Sequence, residues 1–214
     1  MVGTLNAPAP PAAHAAPGRR LRIAQVVVTY PPYRGGIGNV AHAYAEGLRA
    51  RGHEVDVFTP AYGGAPVEQP GVHRLRARVR AGQFALLPQL AHCCAGYDVV
   101  HLHFPFFGAA GFVAWARARG RIARLVLTYH MDAHASGLRG AAFACHRRLV
   151  LPWTVRQADR ILVSSRDYAA HAALGRLADL QDRVEEHPFG VDATRFHPGP
   201  APAARARLAL RDAP

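Results

Sequence analysis

The chain reads as an α/β protein built on a parallel, doubly wound sheet. Three observations predict this. Short β-branched or apolar runs alternate with stretches of helical periodicity along most of the length. The first run, Ile23 to Val28, is apolar nearly throughout, as expected of a central parallel strand covered on both faces. A loop with three glycines, Gly35, Gly36 and Gly38, joins that run to an amphipathic segment, giving strand, glycine loop, helix.

Each element can be justified in order. The first strand spans about Arg22 to Thr29, and Pro31-Pro32 forbid its continuation as a paired ladder. A helix from about Gly38 to Arg51 sets Val40, Ala41, Tyr44, Ala45 and Leu48 on one face, with Gly52 as its stop. Glu54 to Thr59 is a second strand, and a Gly/Pro-rich loop follows from Ala61 to Gly71. Val72 to Val79 alternates apolar residues with arginine, the pattern of an exposed edge strand. Phe84 to Ala95 is expected to be a short helix, Asp98 to Phe104 a buried strand, Phe107 to Arg119 a helix and Leu125 to Tyr129 a strand. Gly137 to Ala158 is a long helical segment with Leu138, Ala142, Cys145 and Leu149 as its apolar stripe, kinked or divided by Pro152. A strand at Arg160 to Ser164, a helix at Arg166 to Leu174 and a short strand at Val184 to His187 complete the series. Residues 1–20 read as a disordered Ala/Pro-rich tail, 21–198 as the domain, and 199–214 as a linker and the start of something unfinished.

Composition narrows the function. The net charge is +12, carried by arginine alone, since the chain has no lysine. That balance suits an anionic partner, but the arginines are dispersed and no zinc-finger or RNP-like motif occurs, so a nucleic-acid partner is not expected. Cys93, Cys94 and Cys145 form no Cys-x-x-Cys and point to buried thiols in a reducing, cytoplasmic setting. No stretch of about 18 apolar residues is present.

In an open parallel sheet, ligands sit beyond the carboxyl ends of the strands. That rule gathers the glycine loop, His103, the Tyr129-His130 strand end and Ser164-Ser165 on one edge. The glycines permit positive φ and close approach of a ligand, and the N–H groups opening the next helix favour an anion; a tight turn that binds nothing is the other reading. His130 at a strand end can donate to a sugar hydroxyl or stabilise developing charge, or it caps backbone. His101 and His103 share a strand face, with His130, Asp132 and His134 nearby, so a metal site is an alternative; chance pairing among thirteen histidines is the stronger reading, and no metal is assigned. There is no Gly-x-Ser-x-Gly and no Asp-x-Asp.

Five pieces in sequence order carry a resemblance. They are Pro31 to Gly38 with Arg51-Gly52-His53-Glu54-Val55; Tyr97-Asp98-Val99-Val100-His101-Leu102-His103; Thr128-Tyr129-His130-Met131-Asp132; Ala158 to Ser165; and Pro188-Phe189-Gly190-Val191-Asp192 with Arg195-Phe196-His197-Pro198. Together they resemble the N-terminal half of glycosyltransferase family 4. The resemblance implies a Rossmann-like domain, one of two that face each other across a cleft in the GT-B fold. It implies a retaining, metal-independent transferase whose nucleotide sugar is a co-substrate, with no other cofactor. Its site would comprise His130 at the donor sugar and Gly35, Gly36, Gly38, His103, Asp132 and Ser165 around donor and acceptor. The acceptor would be a sugar or a lipid-linked molecule. Arg139, His146, Arg147 and Arg148 on the long helix, with Phe143 and Trp153 nearby, would suit peripheral contact with an anionic membrane, but a core helix with a solvated basic side is the stronger reading of the same residues. The family's donor-binding domain would follow Pro214, so the chain is expected to be half an enzyme. Glu46 and Glu54 share the spacing of that domain's glutamate pair, but one lies in the first helix and the other opens the second strand, and the match reads as chance. A nucleotide-dependent oxidoreductase lacks support, because Gly-x-Gly-x-x-Gly is missing and the second strand ends without an acidic residue. A non-catalytic binding module remains the alternative.

Overall fold

The computed structural model of the chain describes residues 19–33, 35–63, 68–191 and 193. The expected tail over 1–18, Arg34, the motif at Asp192 and Arg195 to Pro198, and the segment 199–214 lie outside the described residues.

Nine strands and five α-helices follow in the order β1 (Arg22–Val26), α1 (Gly36–Ala50), β2 (Glu54–Pro60), β3 (Val72–Leu75), β4 (Arg80–Ala81), β5 (Phe84–Ala85), α2 (Leu90–Cys93), β6 (Val99–Phe104), α3 (Ala110–Ala118), β7 (Leu125–Tyr129), α4 (Gly137–Arg156), β8 (Arg160–Val163), α5 (Arg166–His171) and β9 (Val184–Glu186) among the described residues. Seven of the strands form one sheet in the order β3-β2-β1-β6-β7-β8-β9, and every pairing in it is parallel. The doubly wound reading of the sequence is therefore the architecture observed. The strand order reverses between β1 and β6, where such sheets open a crevice at their carboxyl ends.

The period-2 alternation of strands divides the sheet into two faces. Ala24 and Val26 of β1, Val100, Leu102 and Phe104 of β6, Leu125 and Leu127 of β7 and Ile161 of β8 pack into the larger core, against Val113 and Ala116 of α3 and Leu151 and Val155 of α4. Ile23 and Val27 turn the other way, toward Ala41 and Ala45 of α1.

Several expectations needed correction. β1 ends at Val26 and β3 at Leu75, earlier than the apolar patterns suggested. Phe84 to Leu87 is not helical: β4 and β5 form a hairpin about Gly82, whose φ of 56° favours glycine, and the residue before Pro88 is kept out of the α region. Pro152 does not divide the long helix, which runs unbroken for 20 residues. Nor is the assigned stripe on α4 its buried face. Leu138 is 91% and Leu149 67% exposed, Ala142 and Cys145 are also exposed, while Leu151, Thr154 and Val155 are buried. The fully buried residues of the helix lie in its last turns, and its middle meets the core through Phe143 and His146 against Phe104 and Phe107 instead of through the assigned stripe.

Candidate functional site

The carboxyl edge of β1, β6 and β7 brings the candidate residues together. After β1 the chain passes through Tyr30, fully buried, whose hydroxyl meets His42 Nδ1 of α1 at 3.1 Å. The turn is held from outside: Arg74 of β3 donates to the Pro31 carbonyl at 2.6 Å, and the Tyr62 hydroxyl donates to the Val28 carbonyl. Gly35 then caps α1 with no side-chain hydrogen bond, and no acidic residue occupies the first turn. Among the described residues no side chain caps the opening amides of α1, and the helix end carries about half a positive charge.

The three glycines serve differently from expectation. None has a positive φ. Gly38 is required by close packing, since a Cβ there would lie 2.7 Å from the Thr29 carbonyl oxygen. Gly35 would press Thr29 Oγ1 at 3.2 Å, whereas nothing lies within 4 Å of a Cβ on Gly36. Gly36 is thus the point of the loop open to a large ligand.

On the α1 side of the sheet lies a row of buried polar groups. Gln25, His103 and Thr128 are fully buried, and His101 is 7% exposed. His101 Nε2 meets Thr128 Oγ1 at 2.7 Å. His103 Nε2 meets Gln25 Oε1 at 2.6 Å, and His103 Nδ1 meets His130 Nε2 at 2.9 Å. The rings stack in series, His101 on His103 at 4.5 Å, His103 on His130 at 5.2 Å and His130 on Phe189 at 5.2 Å. Burial pushes the His130 imidazolium down to about 4 and His101 to about 3, and holds His103 well below the ordinary value. All three are neutral at pH 7.

The predicted site residues therefore separate. His130 stands half-buried at the carboxyl edge, one strand removed from β1, which carries the glycine loop. His103 is sealed beneath it and touches His130 rather than solvent. Asp132 has both carboxylate oxygens engaged: the Tyr129 hydroxyl donates to one, and the Ala173 amide to the other at 2.8 Å. Ser165 caps α5 by accepting from the Tyr168 amide at 3.0 Å. Asp132, whose amide also donates to the Tyr168 hydroxyl at 2.9 Å, thus ties the loop after β7 to α5 and to Ala173 beyond it, while Ser165 serves α5 itself. Among the described residues, no group of three His, Cys, Asp or Glu side chains is placed to hold a metal ion. Sequence reasoning missed Gln25 and Arg74. Gln25 carried a signal, as the one polar side chain within Ile23 to Val28.

A second concavity lies on the opposite face of the sheet. Two cavities of about 620 and 770 Å³ share Phe84, Gly108 and His146 and form one trough between the β4–β5 hairpin, α3 and α4. Its walls are apolar, with Phe112, Trp115 and Val150 among them, and Arg139 stands at the end nearest the loop after β7.

The sequence model of Glycosyltransferase Family 4 matches residues 34–195. The chain belongs to glycosyltransferase family 4. Its relatives in the family include D-inositol 3-phosphate glycosyltransferases. The protein from Nocardia farcinica is 31% identical over 76% of this chain and 41% of its own length. That from Xylanimonas cellulosilytica is 32% identical over 83% of this chain and 48% of its own. The chain thus spans less than half the length of these relatives. Solved glycosyltransferases share the fold. One from Rickettsia africae superposes with a TM-score of 0.58 over 91% of this chain and 51% of its own, at 13% identity. An alpha-glucosyltransferase bound to UDP and DNA gives 0.55 over 83% of this chain and 44% of its own, at 14% identity. Among the described residues no helix is long and apolar enough to cross a membrane.

Proposed function

We propose that this chain is the N-terminal, acceptor-side half of a retaining, metal-independent glycosyltransferase that moves a sugar from a nucleotide-sugar donor to an acceptor. One observation carries the reading: in a chain of this family, the N-terminus of α1, without a side-chain cap, and the neutral His130 follow the carboxyl ends of β1 and β7, the two strands that flank β6. Transfer of this kind passes through an oxocarbenium-like state as a diphosphate departs. The α1 amides and the dipole behind them would meet the departing charge, and His130 would orient the donor sugar; positioning and charge stabilisation are the main sources of acceleration. No cofactor beyond the co-substrate is included. Turnover is proposed for a protein carrying this half together with the remainder of the relatives' length, not for the 214 residues alone.

The acceptor we propose is a polar headgroup, alone or linked to a lipid. The inositol phosphate named for the relatives supports an anionic head, and the trough beside the loop after β7 supports a lipid-linked one. Leu138, Leu149 and Trp153, exposed on α4 near Arg139 and Arg148, support peripheral contact with an anionic membrane from the cytoplasmic side. Nucleic acid is not part of the reading: the DNA belongs to a structure that shares only the fold.

The test is transfer by the full reading frame containing this chain. It would be offered a panel of nucleotide sugars with inositol phosphate and with alkyl-linked phosphates. One sugar should be added to one acceptor class, and His130→Ala should lower kcat by about 100-fold or more. No transfer from any donor, or an unimpaired His130→Ala, would sink the reading.

A further inference from the structure

We propose that Gln25 is a positioning residue. Through His103 it fixes the tautomer of His130, so that His130 meets the cleft with the lone pair of Nδ1, as a hydrogen-bond acceptor. Its bearing on turnover rests on the transferase reading above; the tautomer does not.

The argument is one of donor and acceptor chemistry. His103 is fully buried, and both of its ring nitrogens are engaged, Nε2 with Gln25 Oε1 at 2.6 Å and Nδ1 with His130 Nε2 at 2.9 Å. A neutral imidazole has one N–H and one lone pair. A carbonyl oxygen only accepts, so His103 Nε2 carries the hydrogen. His103 Nδ1 then holds the lone pair, and His130 Nε2 must donate to it. The one remaining nitrogen of His130, Nδ1, is left bare. No charge moves anywhere in this chain of bonds.

The direction is set by the amide of Gln25. Turned over, it would present N–H groups to His103 and reverse both bonds, making His130 Nδ1 a donor. The contact of 2.6 Å is at the short limit for N–H to oxygen and too short for nitrogen to nitrogen. Gln25 Nε2, buried, meets no partner among the described residues, so the carbonyl contact is the one hydrogen bond among them that orients the amide. Gln25 is held in β1 between β2 and β6, paired with Val57 and His101, and cannot follow a shift of the loops. A bare Nδ1 selects a hydroxyl at the position it touches. A sugar lacking that hydroxyl, or offering only an ether or carbonyl oxygen, leaves it unpaired.

The test is ¹⁵N spectroscopy of the histidine rings in the 214-residue chain at pH 7.5, with the His130 signals assigned by their loss in His130→Gln. Protonated Nε2 and bare Nδ1 are expected for His130. Gln25→Met, similar in size with no polar atom, should lower the preference at least threefold. A wild-type His130 carrying its hydrogen on Nδ1 overturns the proposal, and so does a Gln25→Met chain with an unchanged ratio. If Gln25→Met fails to fold, Gln25→Leu is read in its place, and the wild-type tautomer decides in either case. In the full-length enzyme, Gln25→Met should lower kcat several-fold with KM nearly unchanged. A shifted tautomer with an unchanged rate would overturn the catalytic bearing while the transferase reading stands.

Discussion

The two faces of this sheet are built on opposite principles. Toward α3 and α4, strands β1, β6, β7 and β8 present alanine, valine, leucine, isoleucine and phenylalanine, and the core is dry and apolar. Toward α1, strands β1, β6 and β7 present Gln25, His101, His103 and Thr128, buried as deeply but joined by hydrogen bonds, beside a smaller apolar cluster around Ile23 and Val27. Apolar packing tolerates substitutions that keep volume and shape. A polar row tolerates none that leaves a partner unmatched. Stability is therefore concentrated on one face and orientation on the other, and the edge that carries His130 is where the oriented face reaches solvent.

This contrast can be broken by acid. His101 and His130 have values lowered to about 3 and about 4, and His146, against Phe104 and Phe107, is lowered to about 4 by burial. Below pH 6.5 the unfolded chain takes up protons that the folded chain refuses. Their contribution is thus complete above pH 6.5 and is lost as pH falls through about 4. Allowing for solvent at His130 and His146, the loss should be on the order of 4 kcal/mol in urea titrations between pH 7.5 and 4.5. His146→Phe should make the slope shallower, since His146 Nε2 is buried without a partner and phenylalanine removes that atom. A stability profile flat across this window would refute the burial of these rings.

The apolar face answers to volume instead. Leu102→Ala, at a fully buried site, should cost about 3 kcal/mol, with the pH slope unchanged. A change of slope would mean that the two faces are coupled. At the edge, Ser165→Ala removes the cap of α5 and should cost about 1 kcal/mol by thermal melting. A smaller effect separates the trough from both faces. Gly111 lies on α3 with only Val150 Cγ1 near, at 4.0 Å from a Cβ placed there. Gly111→Leu should alter stability by less than about 1 kcal/mol and still abolish calorimetric binding of dodecyl phosphate, if wild type binds it. Retained binding would place the alkyl chain elsewhere.

Much of the fold was legible because strand periodicity and glycine or proline punctuation agree along the chain. The exceptions are physical. α4 has apolar spacing in its first half, but spacing records a face and not what covers it, so Leu138 and Leu149 misled. The hairpin at Gly82 was hidden in Phe84 to Leu87, an apolar run too short for its period to be read. In the site, His130 was legible from its place at a strand end. His103 was legible as a histidine on the right face, but its complete burial depends on Tyr44 of α1, whose ring lies 6.0 Å away. Gln25 and Arg74 become meaningful only when strands distant in sequence are set side by side. Asp132 shares the motif with His130, and adjacency in sequence did not reveal that its oxygens are engaged in bracing a loop; Ser165, from a separate motif, has its oxygen engaged in capping α5.

The walls of the trough have a consequence for anyone who shines light on this protein. The chain contains two tryptophans, Trp115 and Trp153, and both line that one concavity. Indole emission excited at the red edge of the absorption band therefore comes from a single place. Whatever enters between α3 and α4 is expected to change the colour or the brightness of that emission.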